Sequence, residues 1–185
     1  MRLLIAILTL LLAAPAVCGE DAYFLSDPAL SPDGRTIVFA YEGDLWTVPA
    51  EGGLAGRLTG LAGRESRPNY SPDGRWIAFT GEQTGNGDVF VIPAGGGAVR
   101  QLTFHAAADL VDSWSWDSRT IYFSSGRENN FTEFAVPVSG GTPARLFENY
   151  FNTVHGLVVH PLTGEHIFTD TWESLEFASR KRYKG

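Results

Sequence analysis

The chain has 185 residues, 44% of them hydrophobic and 19% charged, with a formal net charge of −7 and one cysteine. Between Gly19 and Ser179, nine arginines and no lysine stand against all 21 acidic residues; this excludes the usual nucleic-acid groove, which needs a basic stripe with interleaved aromatics. Cys18 has no second cysteine to pair with, so the fold relies on an apolar core. A domain of this size buries about 68–70% of its unfolded surface, which is enough for one.

The chain opens with "MRLLIAILTLLLAAPAVCG": Arg2, an apolar run from Leu3 to Leu12, then small residues around Ala14 to Gly19. This is the layout of a secretory signal peptide, residues 1–18, with small residues that suit cleavage after Ala16 or Cys18. It is shorter than the roughly 20 apolar residues of a membrane span. Pro15 and Val17 stand where a lipoprotein site wants leucine and a small residue, which disfavours lipid attachment at Cys18. No later stretch is apolar for long enough to span a bilayer, so the expected product is exported, periplasmic or extracellular.

Beyond the leader the chain repeats itself. "SPDGR" stands at 31–35 and 71–75, and a degraded form, Ser115-Trp-Asp-Ser118, stands 44 residues further on. Pro49, Pro93 and Pro137 are each followed by a glycine pair, at 52–53, 96–97 and 140–141, and then by Leu58, Leu102 and Leu146. In Ser-Pro-Asp-Gly, proline pre-sets φ for the second turn position and glycine takes the left-handed place that closes a bulged hairpin. Alternating β-rich residues come after it: Ile37 and Phe39, Ile77 and Phe79, Ile121 and Phe123. Second strands are expected at Leu45–Val48, Val89–Ile92 and Glu133–Val136, with short last strands at "RLT", "QLT" and "RLF". No stretch after the signal keeps a 3.6-residue apolar period.

Four short strands repeated every 40–45 residues are the sequence signature of a β-propeller blade. The expected fold is all-β, a propeller of three complete four-stranded blades (22–60, 61–104 and 105–148) and a partial fourth (149–185). "VVHPLTGEHIFTD" carries the fourth copy, with one extra turn residue between His160 and Gly164. A propeller must close to hide its edges: either an N-terminal strand from "DAYFLSD" completes the last blade, or, the favoured expectation, the chain is the front of a longer protein. The basic "RKRYKG" end reads as an interaction tail or, the favoured expectation, as the solvated start of a polypeptide that continues.

Few residues suggest chemistry. The sequence has no Gly-x-Ser-x-Gly elbow, no Ser-x-x-Lys, no His-Glu-x-x-His and no phosphate-cradling loop. Ser124 and Ser125, with His105 or His155, form an imaginable nucleophile–base set, but hydroxyl-rich strand ends are ordinary in propellers. His155, His160 and His166 lack a third clustered ligand at metal-binding spacing. Trp46, Phe90 and Phe134 occupy equivalent second-strand places and are expected in the core between blades. Asp44 and Asp88 precede the first two and are expected to cap turns or pair hairpins. Asn130-Phe-Thr132 fits a glycosylation sequon. The sequence therefore assigns no catalytic, cofactor-binding or metal residue and no cofactor.

"AYFLSDPALSPDGRTIVFAYEGDLWTVPAEGGLAGRLT", "RPNYSPDGRWIAFTG", "QLTFH" and "SRKRYKG" together resemble the N-terminal propeller of tricorn-type serine peptidases, over residues 22–185. TolB-type periplasmic proteins and prolyl oligopeptidase relatives use the same Ser-Pro-Asp-Gly blade; "YEGDLWTVPAEGG" favours tricorn. The resemblance implies a second propeller, a PDZ-like domain and a serine-nucleophile core downstream, with propellers that filter and guide peptides. No catalytic residue of that family maps onto this chain. The expected role is a non-catalytic propeller gating or docking peptides for a larger exported peptidase. The alternative is a free-standing TolB-like periplasmic propeller that binds a protein partner. Either way the partner is a peptide or protein, not nucleic acid.

Overall fold

The computed structural model describes residues 24–128, 131–147, 155–160 and 163–169. The expected signal peptide, Asn130 and the basic 180–185 end lie outside them. Three antiparallel four-stranded sheets follow one another along the chain. The first holds β1 (Ser26–Leu30), β2 (Thr36–Tyr41), β3 (Asp44–Pro49) and β4 (Gly56–Arg57). The second holds β5 (Glu65–Tyr70), β6 (Trp76–Gly81), β7 (Asp88–Pro93) and β8 (Arg100–Gln101). The third holds β9 (Asp109–Trp114), β10 (Thr120–Ser125), β11 (Thr132–Pro137) and β12 (Ala144–Arg145). A two-stranded sheet, β13 (His155–Val159) with β14 (His166–Thr169), begins a fourth blade. The fold is an all-β propeller with three full blades and part of a fourth, and the described residues contain no helix.

The repeated turn forms in the way its residues dictate. Gly34 N–H donates to Ser31 O at 2.8 Å, and the Ser31 hydroxyl donates to Asp33 Oδ1 at 2.6 Å. The same two bonds recur at Ser71 and Ser115. Gly34 and Gly74 take φ of 72° and 71°, and Ser118 takes the same place at 62°. A left-handed serine costs about 1 kcal/mol that glycine would not. Its hydroxyl offsets this by accepting the Asp73 N–H of the preceding blade's turn at 3.0 Å.

Blades pack face to face because each buries one apolar side against the next. Val38, Ala40 and Leu45 of blade 1 meet Tyr70, Ile77, Phe79, Phe90 and Ile92 of blade 2. Ala78, Val89, Val91 and Leu102 of blade 2 then meet Val111, Trp114, Ile121, Phe123, Phe134 and Val136 of blade 3. Small and branched residues on one face receive aromatics from the other, and the Phe79–Phe90 and Phe123–Phe134 pairs stack at 5.6 and 5.8 Å. Burying each such phenylalanine contributes about 1.5–3 kcal/mol. Trp46 departs from the expectation set by Phe90 and Phe134: it lies on the face of blade 1 that no described blade covers. There, with Ile37, Phe39, Tyr41 and Val48, it lines an open apolar groove of about 500 Å³.

Candidate functional site: the inner strands and the turn rim

The first strand of every blade is the inner one: β1, β5, β9 and β13 touch their neighbours in sequence across the blades. Each is interrupted by a bulge, read as a shift in pairing between Ser26 and Ala29, Ser66 and Asn69, Val111 and Ser113, and His155 and Val158. A bulge re-aims side chains and leaves a backbone group unpaired. Asp27 and Arg67 sit at two of these bulges with φ of 52° and 53°. A left-handed arginine is uncommon and its strain marks a constrained place.

The bulges join in a charged row across three blades. Arg67 N–H donates to Asp27 Oδ2 at 3.3 Å, and Arg67 Nη1 meets Asp112 Oδ1 at 3.1 Å. The Arg67 side chain is 43% exposed while that of Asp112 is 5% exposed, so a half-open cation lies over a buried anion. Asn69 Nδ2 donates to Asp112 O at 3.1 Å and fixes the strand there. Behind Asp112 lies Glu133, fully buried, in the β11 place that Leu45 and Val89 occupy in the other blades. Neither carboxyl oxygen of Glu133 makes an ordinary hydrogen bond among the described residues. Burial first, and then the adjacent Asp112 carboxylate, push the Glu133 carboxyl up to about 9; the nearby Leu157 amide and Arg67 pull the other way. Glu133 is therefore neutral at pH 7.

At the other end of the inner strands, polar groups tie consecutive blades. Glu65, fully buried, takes the Leu45 N–H at 3.2 Å and the Thr59 hydroxyl; burial raises its carboxyl above the ordinary range despite those bonds. Within blade 3, Asp109 pairs with Arg127, whose guanidinium also lies 5.1 and 5.0 Å from the Phe123 and Phe134 rings.

The residues expected from sequence have these places. Ser124 and Ser125 are buried in β10, and Ser125 Oγ accepts from Arg127 Nε at 3.4 Å. His105 is exposed and accepts the Ala107 N–H on Nδ1 at 3.0 Å. His160 Nδ1 accepts the Thr163 N–H at 3.2 Å, and the His166 ring stands 5.3 Å from Tyr122. His155 begins β13; its side chain and Asn130 lie outside the described residues. No three His, Cys, Asp or Glu residues gather at metal-binding distance among the described residues. Asp44 pairs with Arg57 at 2.8 Å across the β3–β4 hairpin. Asp88 accepts from Thr84, Gln101 and Thr103 at 2.6, 3.0 and 3.2 Å. Arg67, Asp112 and Glu133 were not singled out in the sequence. The repeat held the signal for Glu133, a carboxylate aligned with Leu45 and Val89.

Comparison with known proteins places this geometry. The uncharacterized protein Atu1656 of Agrobacterium fabrum is 43% identical over 61 residues, which are 30% of this chain and 20% of that protein. TolB from Acinetobacter baumannii superposes with a TM-score of 0.64 at 18% identity, over 78% of this chain and 37% of that one. The tricorn protease superposes with a TM-score of 0.53 at 19% identity, over 80% of this chain and 16% of that one. The chain thus spans only a fifth of the curated relative and about a third of TolB, and at these identities the two solved structures establish the fold alone. The model of the Tricorn protease N-terminal beta propeller domain matches residues 22–185, nearly everything after the apolar N-terminal stretch, and this chain belongs to that family.

Proposed function

We propose that this chain is the non-catalytic propeller module of an exported tricorn-like serine peptidase, gating or docking peptides on their way to a catalytic core carried elsewhere. The observation that carries the reading is the family match over residues 22–185, on a fold whose inner strands carry a charged row, Asp27–Arg67–Asp112. A guanidinium held by the Asp112 carboxylate, on a backbone fixed by Asp27, is pre-organised for polar groups of a passing peptide backbone or terminus. Export is supported by the leader at residues 1–18, and no helix of the described residues is long and apolar enough to cross a membrane.

The test is the size of the native product. An antibody against residues 64–100 is used to blot an extract of the source organism. A band several times larger than the 20.1 kDa chain is the expected result, and it directs the search for catalysis to the downstream polypeptide. A band at or slightly below that mass removes the peptidase-module reading. The free-standing interaction propeller, supported by the likeness to TolB, would then take its place.

A further inference from the structure

We propose that the groove between the turns of blades 2, 3 and 4 binds a cationic side chain of a polypeptide, a lysine or arginine stacked on Trp116 and paired with Asp117. The proposal rests on the peptide-docking role above and names the chemistry of one contact. The groove holds about 470 Å³ between Pro72, Asp73, Trp114, Trp116, Asp117 and Val159.

Trp116 stands at the second turn position, where blades 1 and 2 have Pro32 and Pro72, and the turn hydrogen bonds are the same in all three. The fold therefore does not need an indole here. In blade 1, Pro32 packs on the next turn: a Cβ built on Gly74 would lie 3.8 Å from its ring. Trp116 makes the equivalent contact to the fourth turn, with its Cδ1 3.8 Å from a Cβ built on Gly164. Proline would satisfy that contact, yet Trp116 goes further and leaves 65% of its surface in solvent.

A flat, exposed indole attracts a cation over its face. The charges beside it set the sign of the ligand. Asp73 is matched by Arg75 at 2.7 Å. Asp117 has no ion-pair partner among the described residues. Its Oδ1 takes the Ser115 hydroxyl at 2.6 Å and the Arg119 N–H at 3.1 Å, and its Oδ2 takes no hydrogen bond from a described residue. Those two donors hold the carboxyl below the ordinary range, with Arg119 adding a weaker pull through space, so it is an anion throughout the physiological range. An aromatic face, one uncommitted carboxylate and an apolar wall from Pro72 and Val159 suit the stem and head of a basic side chain. The acidic body of the chain favours its approach.

The experiment is fluorescence anisotropy on the purified chain with labelled, unstructured Gly/Ser peptides carrying two lysines or arginines, two glutamines, or two glutamates. The basic peptides are expected to bind tightest and to weaken with salt. Trp116→Pro, which restores the residue of the sibling turns, is expected to weaken them by roughly five- to thirtyfold while melting within a few degrees of the parent. Asp117→Asn is expected to remove most of the preference for basic over glutamine peptides. Equal binding by Trp116→Pro and parent, or equal affinity for acidic and basic peptides, overturns this site and leaves the docking role standing. Failure of the parent to bind any peptide overturns the docking role as well.

Discussion

Replacing Glu133 by glutamine is expected to stabilise the protein at pH 8 and to leave it nearly unchanged at pH 5. The wild-type carboxyl is fully buried and pushed up to about 9 by burial and by Asp112. In an unfolded chain it titrates near 4.5. The folded protein therefore holds a proton through this window that the unfolded chain gives up. The stability this proton supplies is complete below the unfolded value and lost as pH rises towards the folded one. One proton is worth about 1.36 kcal/mol per pH unit, so the ceiling between pH 5 and pH 8 is about 4 kcal/mol. The Leu157 amide and Arg67 favour the charged form, so about half of that ceiling is expected. Glutamine keeps the neutral shape and its capacity to face the Leu157 amide, without a proton to lose. Two kilocalories correspond to roughly 4–8 °C in melting temperature at this size. Thermal melts of both proteins from pH 5 to pH 9 should thus converge in acid and separate in base. Parallel profiles, or a glutamine variant less stable at pH 8, would refute a neutral Glu133.

Arg67→Met leaves Asp112 with a buried oxygen and no cation. Because Arg67 is itself 43% exposed, the expected cost is about 1–2 kcal/mol rather than that of a fully buried pair, read from the urea midpoint. Gly34→Ala and Gly63→Ala both place alanine at positive φ, 72° and 94°. Nothing lies within 4 Å of the new Cβ at Gly34, whereas at Gly63 it meets Glu82 backbone atoms at 2.9 Å. The first is expected to cost about 1 kcal/mol and the second clearly more; equal costs would mean that the backbone at Gly63 gives way freely. Phe134→Ala is expected to cost about 3–5 kcal/mol. Trp46→Ala, at the equivalent place on the open face of blade 1, should cost much less in the isolated chain. Calorimetry of the two variants compares them, and equal losses would mean that this face is covered in solution.

Much of the frame was legible because it repeats. The Ser-Pro-Asp-Gly turn has a narrow physical meaning, and Pro49, Pro93 and Pro137 with their glycine pairs fixed the last hairpin of each blade. Gly52 and Gly53 take φ of 95° and 137°, conformations that reward glycine at both places. Even the worn third turn kept its geometry, because Ser118 recovers through Asp73 what it loses as a left-handed serine. The last strands were harder: of "RLT" and its relatives only the first residue pairs, together with the residue before it. The third residue instead turns its side chain inward at Thr59 and Thr103, where the hydroxyls accept the Leu45 and Val89 amides at 2.8 and 2.9 Å. Trp46 differs for another reason. Equivalent places in a repeat are equally buried only where a neighbouring blade exists to cover them. Glu133 is hidden from apolar periodicity along any one strand; it stands out only down the column of Leu45, Val89 and Glu133.

That column points to where the individuality of this propeller resides. The apolar frame is nearly the same from blade to blade, so it cannot tell one interface from another. The bulges are different. Each leaves an amide near the preceding blade, and each junction meets it with its own chemistry. Asp27 takes the amide of Arg67 at 3.3 Å, and Thr80 takes that of Val111 at 2.9 Å. At the third junction the Glu133 carboxyl lies beside the amide of Leu157. A carboxylate, a hydroxyl and a neutral carboxylic acid are not interchangeable, because each holds a different charge beside the inner strands. Swapping the polar residue of one junction for that of another would keep the apolar contacts and change that charge. The inner wall is therefore set residue by residue, on a scaffold whose repetition frees these positions from specifying the fold.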